Sequence, residues 1–343
     1  MLIRKKSPHG GLPHGKLDFS SNINPYGIPE CVREALEMSV SDCRSYPDPY
    51  CTGLRKAISS YERVPVENII CGNGATELIY SFAYSLPKDR PALIVSPSFS
   101  EYGSALKAAG IKADHYILTD ENGFILTDDI LNADLARYGA VFLGSPNNPT
   151  GVSVDRTLLQ RIAATGVLLF ADMCFLDLTE NPDRYDIPAL TEEYPNVVVL
   201  RAFTKNFALA GIRLGYAICS DFSLLDLMAE KVPCWNVSSV AQRAGEAAAG
   251  CRQWLTDTVE KIARERERVA RALDSYGIRV FPGEANYLLI RSERDLCLGL
   301  AKRGIEVRDC SNYIGLGKGY VRIAIKAEAD NDRLLSAVRE VQE

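Results

Sequence analysis

The sequence predicts an α/β protein with a large sheet domain followed by a smaller α+β domain. Three observations predict it. From about residue 65 to residue 235, short Val/Ile/Leu-rich runs alternate with helix-like segments. Such runs suit strands buried on both faces of a sheet. After residue 235 the pattern changes to two long helical stretches and then to interleaved strands and helices. The length, 343 residues, corresponds to about two domains at roughly 150 residues each.

In chain order, residues 1–45 form a loop-rich leader with turn signals at Gly10-Gly11 and Pro25-Tyr26-Gly27. Its aromatic and Asn content favours an arm that covers a site. Residues 46–235 form the large domain, opening with Tyr46-Pro47-Asp48-Pro49. Strands are predicted at Ile69–Cys71, Ala92–Val95, Lys112–Leu118, Ala140–Leu143, Val167–Ala171, Val197–Leu200 and Arg213–Cys219. Each is a short apolar run rich in branched residues. Helical periodicity fits Thr76–Ser85, Glu101–Ala109, Asp155–Ala164 and Leu224–Lys231. Residues 236–343 form the small domain, with helices over Val240–Gly250 and Gln253–Tyr276. Strand (Tyr287–Ile290), helix (Glu293–Arg303), strand (Ile305–Arg308), strand (Tyr320–Ile325) and helix (Ala329–Val341) complete it.

Composition excludes several function classes. The chain has 39 Lys+Arg against 44 Asp+Glu, a net charge of −5, and no long basic run. That argues against binding nucleic acid through an overall field. The alternating Arg264-Glu265-Arg266-Glu267-Arg268 reads as a solvated helix face. No apolar run reaches the roughly 18 residues of a membrane span, and the start Met1-Leu2-Ile3-Arg4-Lys5-Lys6 lacks a secretory core. The ten cysteines contain no CxxC pair. They read as free, mostly buried thiols of a cytoplasmic protein. Three histidines without ligand spacing imply no metal site.

Four segments carry chemistry. Lys205, in Phe203-Thr204-Lys205-Asn206-Phe207, follows a buried strand, where α/β proteins place ligands. Desolvation there lowers a lysine's pKa and frees the amine to add to a carbonyl. Asp172 ends a strand, where a carboxylate can pair with a cationic ring nitrogen. Ser145-Pro146-Asn147-Asn148-Pro149-Thr150-Gly151 is a loop presenting amides. Gly72-Asn73-Gly74-Ala75-Thr76-Glu77 lies between a strand and a helix, where backbone N–H groups can meet phosphate. Alone, each has an ordinary explanation as a surface lysine, a cap or a turn. Together, their order and the arginine eight residues after Lys205, Arg213, are distinctive.

On these residues the sequence resembles the aminotransferase class I/II superfamily of fold-type-I pyridoxal-phosphate enzymes, along nearly its whole length. The resemblance implies that architecture and pyridoxal 5'-phosphate as cofactor. It assigns Lys205 to carry the cofactor, Asp172 to the ring nitrogen and Asn148 to the ring hydroxyl. Gly74, Ala75, Thr76, Thr204 and Arg213 would hold the phosphate, and Phe99, in Pro97-Ser98-Phe99, would stack on the ring.

The leader resembles a narrower group. Leu17-Asp18-Phe19-Ser20-Ser21-Asn22-Ile23-Asn24-Pro25-Tyr26-Gly27 and Ser45-Tyr46-Pro47-Asp48 look like histidinol-phosphate aminotransferases and threonine-phosphate decarboxylases. His9-Gly10-Gly11, Phe175 and the tail from Arg308 to Ile325 lean to the decarboxylases. That resemblance implies decarboxylation of L-threonine O-3-phosphate, or of an analogue such as serine phosphate, toward cobalamin. Transamination of the histidinol-phosphate type is the alternative, and a non-catalytic cofactor-binding regulator a third. Arg308 and Arg322 would serve the substrate's anionic groups, with Asn22, Asn148 and His9 beside them. Tyr46 would reach the neighbouring subunit's cofactor phosphate, implying a homodimer. Three residues depart from the pattern. Met173 and Cys174 stand where relatives usually have Glu-Ala, and Ala202 replaces a hydroxyl residue.

Overall fold

The computed structural model describes Gly10, Gly11 and residues 15–343. His9, proposed above for the substrate, lies outside the described residues. The chain begins with β1 (Leu17–Asp18), α1 (Glu30–Met38) and α2 (Thr52–Glu62). There follow β2 (Ile69–Asn73), α3 (Ala75–Ser85), β3 (Ala92–Ser96), α4 (Glu101–Ala109), β4 (Ala113–Ile117), β5 (Ala140–Gly144), α5 (Arg156–Ala163) and β6 (Leu168–Asp172). Next come α6 (Ile187–Glu193), β7 (Val197–Ala202), β8 (Leu214–Ile218) and α7 (Phe222–Ala229). Together β2 to β8 form a seven-stranded sheet of order β2-β8-β7-β6-β5-β3-β4. Every pair is parallel except the two made by β8. Strands β3, β5 and β7 are buried along their whole length, which explains their unbroken apolar runs.

Parallel strands end at one edge of a sheet. The turns after β2, β3, β5, β6 and β7 therefore meet there, bringing together Gly74, Phe99, Asn148, Asp172 and Lys205. Because β8 runs the other way, Arg213 enters that edge just before it.

The chain continues with α8 (Ser239–Ala249), α9 (Arg252–Ser275), β9 (Arg279–Val280), β10 (Tyr287–Arg291), α10 (Leu296–Ala301), β11 (Ile305–Glu306), β12 (Arg308–Asp309), β13 (Tyr320–Ala324) and α11 (Glu328–Gln342). A second sheet, β12-β13-β10-β9, is antiparallel throughout. In its register Arg308 lies directly opposite Arg322. The leader joins this part of the molecule: β1 pairs with β11, and Phe19 accepts from the Ala324 N–H at 2.9 Å.

Four expectations need correction. The strand expected over Ile305–Arg308 divides into β11 and β12, which belong to different sheets because β11 is taken by the leader. Helix α1 lies in a stretch that reads as loop, because only Val32 of its residues is fully buried. The charged run on α9 is not solvated throughout. Arg266 is buried and donates to the Glu284 and Ala285 carbonyls and to Glu180. Finally, Cys31 and Cys251 form a disulfide rather than two free thiols. Helix α1 packs on α8, whose end leads into Cys251, and the two sulfurs meet there. The other eight cysteines are free. Among the described residues no helix is long and apolar enough to cross a membrane.

Candidate active site

A cavity of about 250 Å³ opens at the edge of the large sheet, walled on its other side by the leader and the second sheet. Ala75, Thr76, Phe99, Asn148, Asp172, Thr204, Lys205, Arg213, Asn22, Arg308 and Arg322 all line it. Gly74 stands immediately behind, and Tyr46 lies elsewhere on the surface.

Asp172 ends β6, and its carboxylate is held from two sides. Tyr102, on the first turn of α4, donates its hydroxyl to Oδ2 at 2.7 Å. The Cys174 N–H donates to Oδ1 at 3.0 Å. Burial pushes the carboxyl pKa up, and the hydrogen bonds from Cys174 and Tyr102 pull against it.

Lys205 begins the turn after β7. Its amine is lowered to about 8, first by burial and then by the nearby guanidinium groups of Arg322 and Arg213. An amine near pH 8 spends part of its time neutral at physiological pH and can then accept a proton or attack a carbonyl. The backbone of this turn is clamped from the leader. The Asn24 N–H donates to the Lys205 carbonyl at 2.9 Å, and the Asn24 amide bridges the Asn206 carbonyl and Thr258 of α9. Behind the turn, buried Arg201 of β7 pairs with Glu62 and Asp177, and Asn206 donates to Asp177.

The opposite wall is an anion site. Gly74 precedes α3 with φ +79°, a conformation that favours glycine. A side chain there would also strike the guanidinium of Arg213, which would sit 2.4 Å from its Cβ. The free N–H groups at the start of α3, with Arg213, form a positive concavity.

On the third wall, Arg322 is buried and held at both ends. One Nη donates to the Ser20 carbonyl at 2.6 Å and the other to Asn148 Oδ1. Its Nε makes no hydrogen bond, nor do either of the amide atoms of Asn22, although all are buried. Arg308 donates to Asn312 at 2.9 Å and lies over the Tyr313 ring.

The family model described as aminotransferase class I and II matches residues 14–340. The chain belongs to this family. A threonine-phosphate decarboxylase of Salmonella typhimurium is 40% identical over 97% of this chain and 93% of its own length. A histidinol-phosphate aminotransferase of Methanococcus maripaludis is 31% identical over 98% of this chain and 92% of its own length. Among solved structures, a histidinol-phosphate aminotransferase from Clostridium acetobutylicum superimposes with a TM-score of 0.89. It is 29% identical and covers 95% of this chain and 99% of that one.

Family motifs lead to most of this cavity, but Ile79 and Tyr102 of its lining lie outside them. Ser21, Cys174 and Tyr313 line it too, within those motifs but with no role assigned to them. Tyr102 had a signal, since it lies three residues after Phe99 at a helix start and so one turn further round the same face. Asn24 and Arg201 reach across to the backbone or buried side chains of other segments, and nothing in their local sequence marks those partners.

Proposed function

We propose that the chain is a pyridoxal-phosphate-dependent carboxy-lyase that decarboxylates L-threonine O-3-phosphate, or a close analogue such as serine phosphate. The product is an amino-alcohol phosphate, a precursor for the cobalamin side chain. The observation that carries this reading is the cross-strand pair Arg308 and Arg322 on the cavity wall. Directly opposed like charges repel. An anionic substrate group between them removes that cost, and guanidinium groups suit phosphate and carboxylate. The 40% identical decarboxylase supports the same choice.

The cavity's groups fit the cofactor. Orphaned polar atoms of Asn22 and Arg322 have no protein partner, and at Gly74 the positive φ favours glycine while the Arg213 guanidinium lies close to the start of α3. Gly74, Ala75, Thr76, Thr204 and Arg213 would hold the phosphate, Phe99 the ring face, Asp172 the ring nitrogen and Asn148 the ring hydroxyl. Lys205 would hold the cofactor covalently. The bound cofactor supplies an electron sink.

The remaining work falls to the chain. Arg308, Arg322 and Asn22 would fix the substrate's anionic groups, and with them which bond of its α carbon is presented for cleavage. A substrate held so that its carboxylate is the activated group would lose CO2, whereas one held so that its α C–H is activated would transaminate. Lys205, whose amine burial and two guanidinium groups lower to about 8, would return a proton to the α carbon. We assign His9 to the substrate and Tyr46 to the phosphate of a second subunit. Tyr46 is 80% exposed and stacks on Trp235 at 4.7 Å, a surface suited to a homodimer of a cytoplasmic enzyme.

The test adds threonine phosphate to the cofactor-loaded protein without an amino acceptor. Release of CO2 is expected. A reaction with histidinol phosphate that requires 2-oxoglutarate and releases no CO2 would replace this reading with the aminotransferase one, which the 31% identical relative supports.

A further inference from the structure

The turn after β4 is clasped onto the second sheet at one carboxylate. Asp120 Oδ2 accepts from the Tyr320 hydroxyl at 2.7 Å, from Arg291 at 2.9 Å and from Arg279 at 3.1 Å. Arg279 lies directly opposite Arg291, and Arg291 directly opposite Tyr320. The three donors therefore form one cross-strand row on one face of the sheet. Two residues along β13, on that same face, stands Arg322, with Arg308 opposite it. The clasped row thus lies next to the arginine row, about 7 Å away along the strand. Phe124 packs edge-on against Phe281 and Tyr320 beside the clasp. On its other side Asp120 is tied to the cofactor wall. Strand β4 pairs with β3, and the Leu118 N–H donates to the Ser96 carbonyl at 2.7 Å, three residues before Phe99.

We propose that Asp120 is a positioning residue for the substrate, setting where the Arg308–Arg322 pair stands relative to the cofactor contacts of the large sheet. Asp120 itself does not line the cavity. It acts on the row beside the two arginines. Without its carboxylate, Arg279 and Arg291 are like charges directly opposed and repel, and Tyr320 loses its anchor to the turn. The second sheet is then free to shift against the large one. An anionic group held by both Arg308 and Arg322 needs each guanidinium within hydrogen-bond reach, so a small shift of their row is felt in binding. The inference rests on the proposed role of Arg308 and Arg322 in holding the substrate's anionic groups.

The experiment measures binding of 3-phosphoglycerate to the cofactor-loaded protein by calorimetry. This probe has the carboxylate and phosphate of serine phosphate but a hydroxyl in place of the amine, so it binds without reacting. Asp120→Ala is expected to weaken it about tenfold, the ratio that one hydrogen bond to a charged group carries, and to leave pyridoxal-phosphate affinity unchanged. Tyr320→Phe removes only the hydroxyl and is expected to weaken the probe in the same direction. The double variant should bind no worse than Asp120→Ala alone, because the hydroxyl acts only through Asp120. With threonine phosphate, KM should rise alongside the probe's Kd while kcat changes less. Probe binding that is unchanged in Asp120→Ala, losses that add in the double variant, or an equal loss of cofactor affinity each overturn the proposal. Should Asp120→Ala fail to fold, unchanged probe binding in Tyr320→Phe overturns it. So does a wild-type protein that binds no probe. A wild-type protein that binds the probe but releases no CO2 from threonine phosphate overturns the decarboxylase reading, and the Asp120→Ala comparison still decides the clasp.

Discussion

Lys205 sits among its own kind of charge, and that has a measurable cost. Burial, Arg322 and Arg213 hold its pKa at about 8 in the folded protein, against about 10.4 in an unfolded chain. Between those values the unfolded state binds more protons than the folded one, so stability rises with pH. In the cofactor-free protein, urea midpoints should climb from about pH 8 to about pH 10, and Lys205→Met should lack that added slope. Equal slopes would show that the amine titrates normally. Lys205→Ala should also abolish the visible band of bound cofactor, and a persisting band would move the attachment elsewhere. Lys205 and Asp172 were legible in the sequence because each follows a strand within a short, specific motif. Tyr102 was only half legible. Its place is set by the turn after β3, while its partner lies 70 residues away.

At the scale of elements, the phosphate wall depends on close approach of β8 to the start of α3. A Cβ on Gly215 would lie 2.4 Å from the Ala75 nitrogen, a backbone atom that cannot turn aside. Gly215→Ala should therefore destabilise the fold by about 1–3 kcal/mol and loosen cofactor binding with it. Gly211→Ala, whose Cβ meets nothing within 4 Å, is the control and should change little in urea unfolding. Strands of the large sheet were legible because burial on both faces leaves unbroken apolar runs. Helix α4 emerged with the bounds its periodicity predicts, Glu101–Ala109. Helix α1 and the division between β11 and β12 were not legible. Each depends on a partner distant in sequence, α8 in one case and the leader in the other.

Across the whole molecule, one buried arginine joins the layers. Arg201 links β7 to Glu62 of α2, to Asp177 in the turn after β6, and to the Met173 carbonyl at 3.0 Å. Arg201→Met would strand two buried carboxylates, and loss of one partner from such a network costs about 3–5 kcal/mol. Thermal unfolding should show a large drop, and because Asp177 also holds Asn206, cofactor affinity should fall as well. A drop no larger than that of a surface substitution would show the network to be dispensable. Nothing in the sequence near Arg201 separates it from a misplaced surface charge, since its partners lie 139 and 24 residues away.

The pairing of β1 with β11 also sets an order of events during synthesis. Ser20 and Arg322, 302 residues apart, must meet before the cavity has its third wall. Ser20 is made first and waits for the 302 residues up to Arg322 to follow. The large sheet can assemble while translation continues, but the pocket closes only once Arg322 has been made. Substrate binding at that wall therefore awaits the synthesis of Arg322, and a nascent chain arrested before residue 322 presents an open pocket.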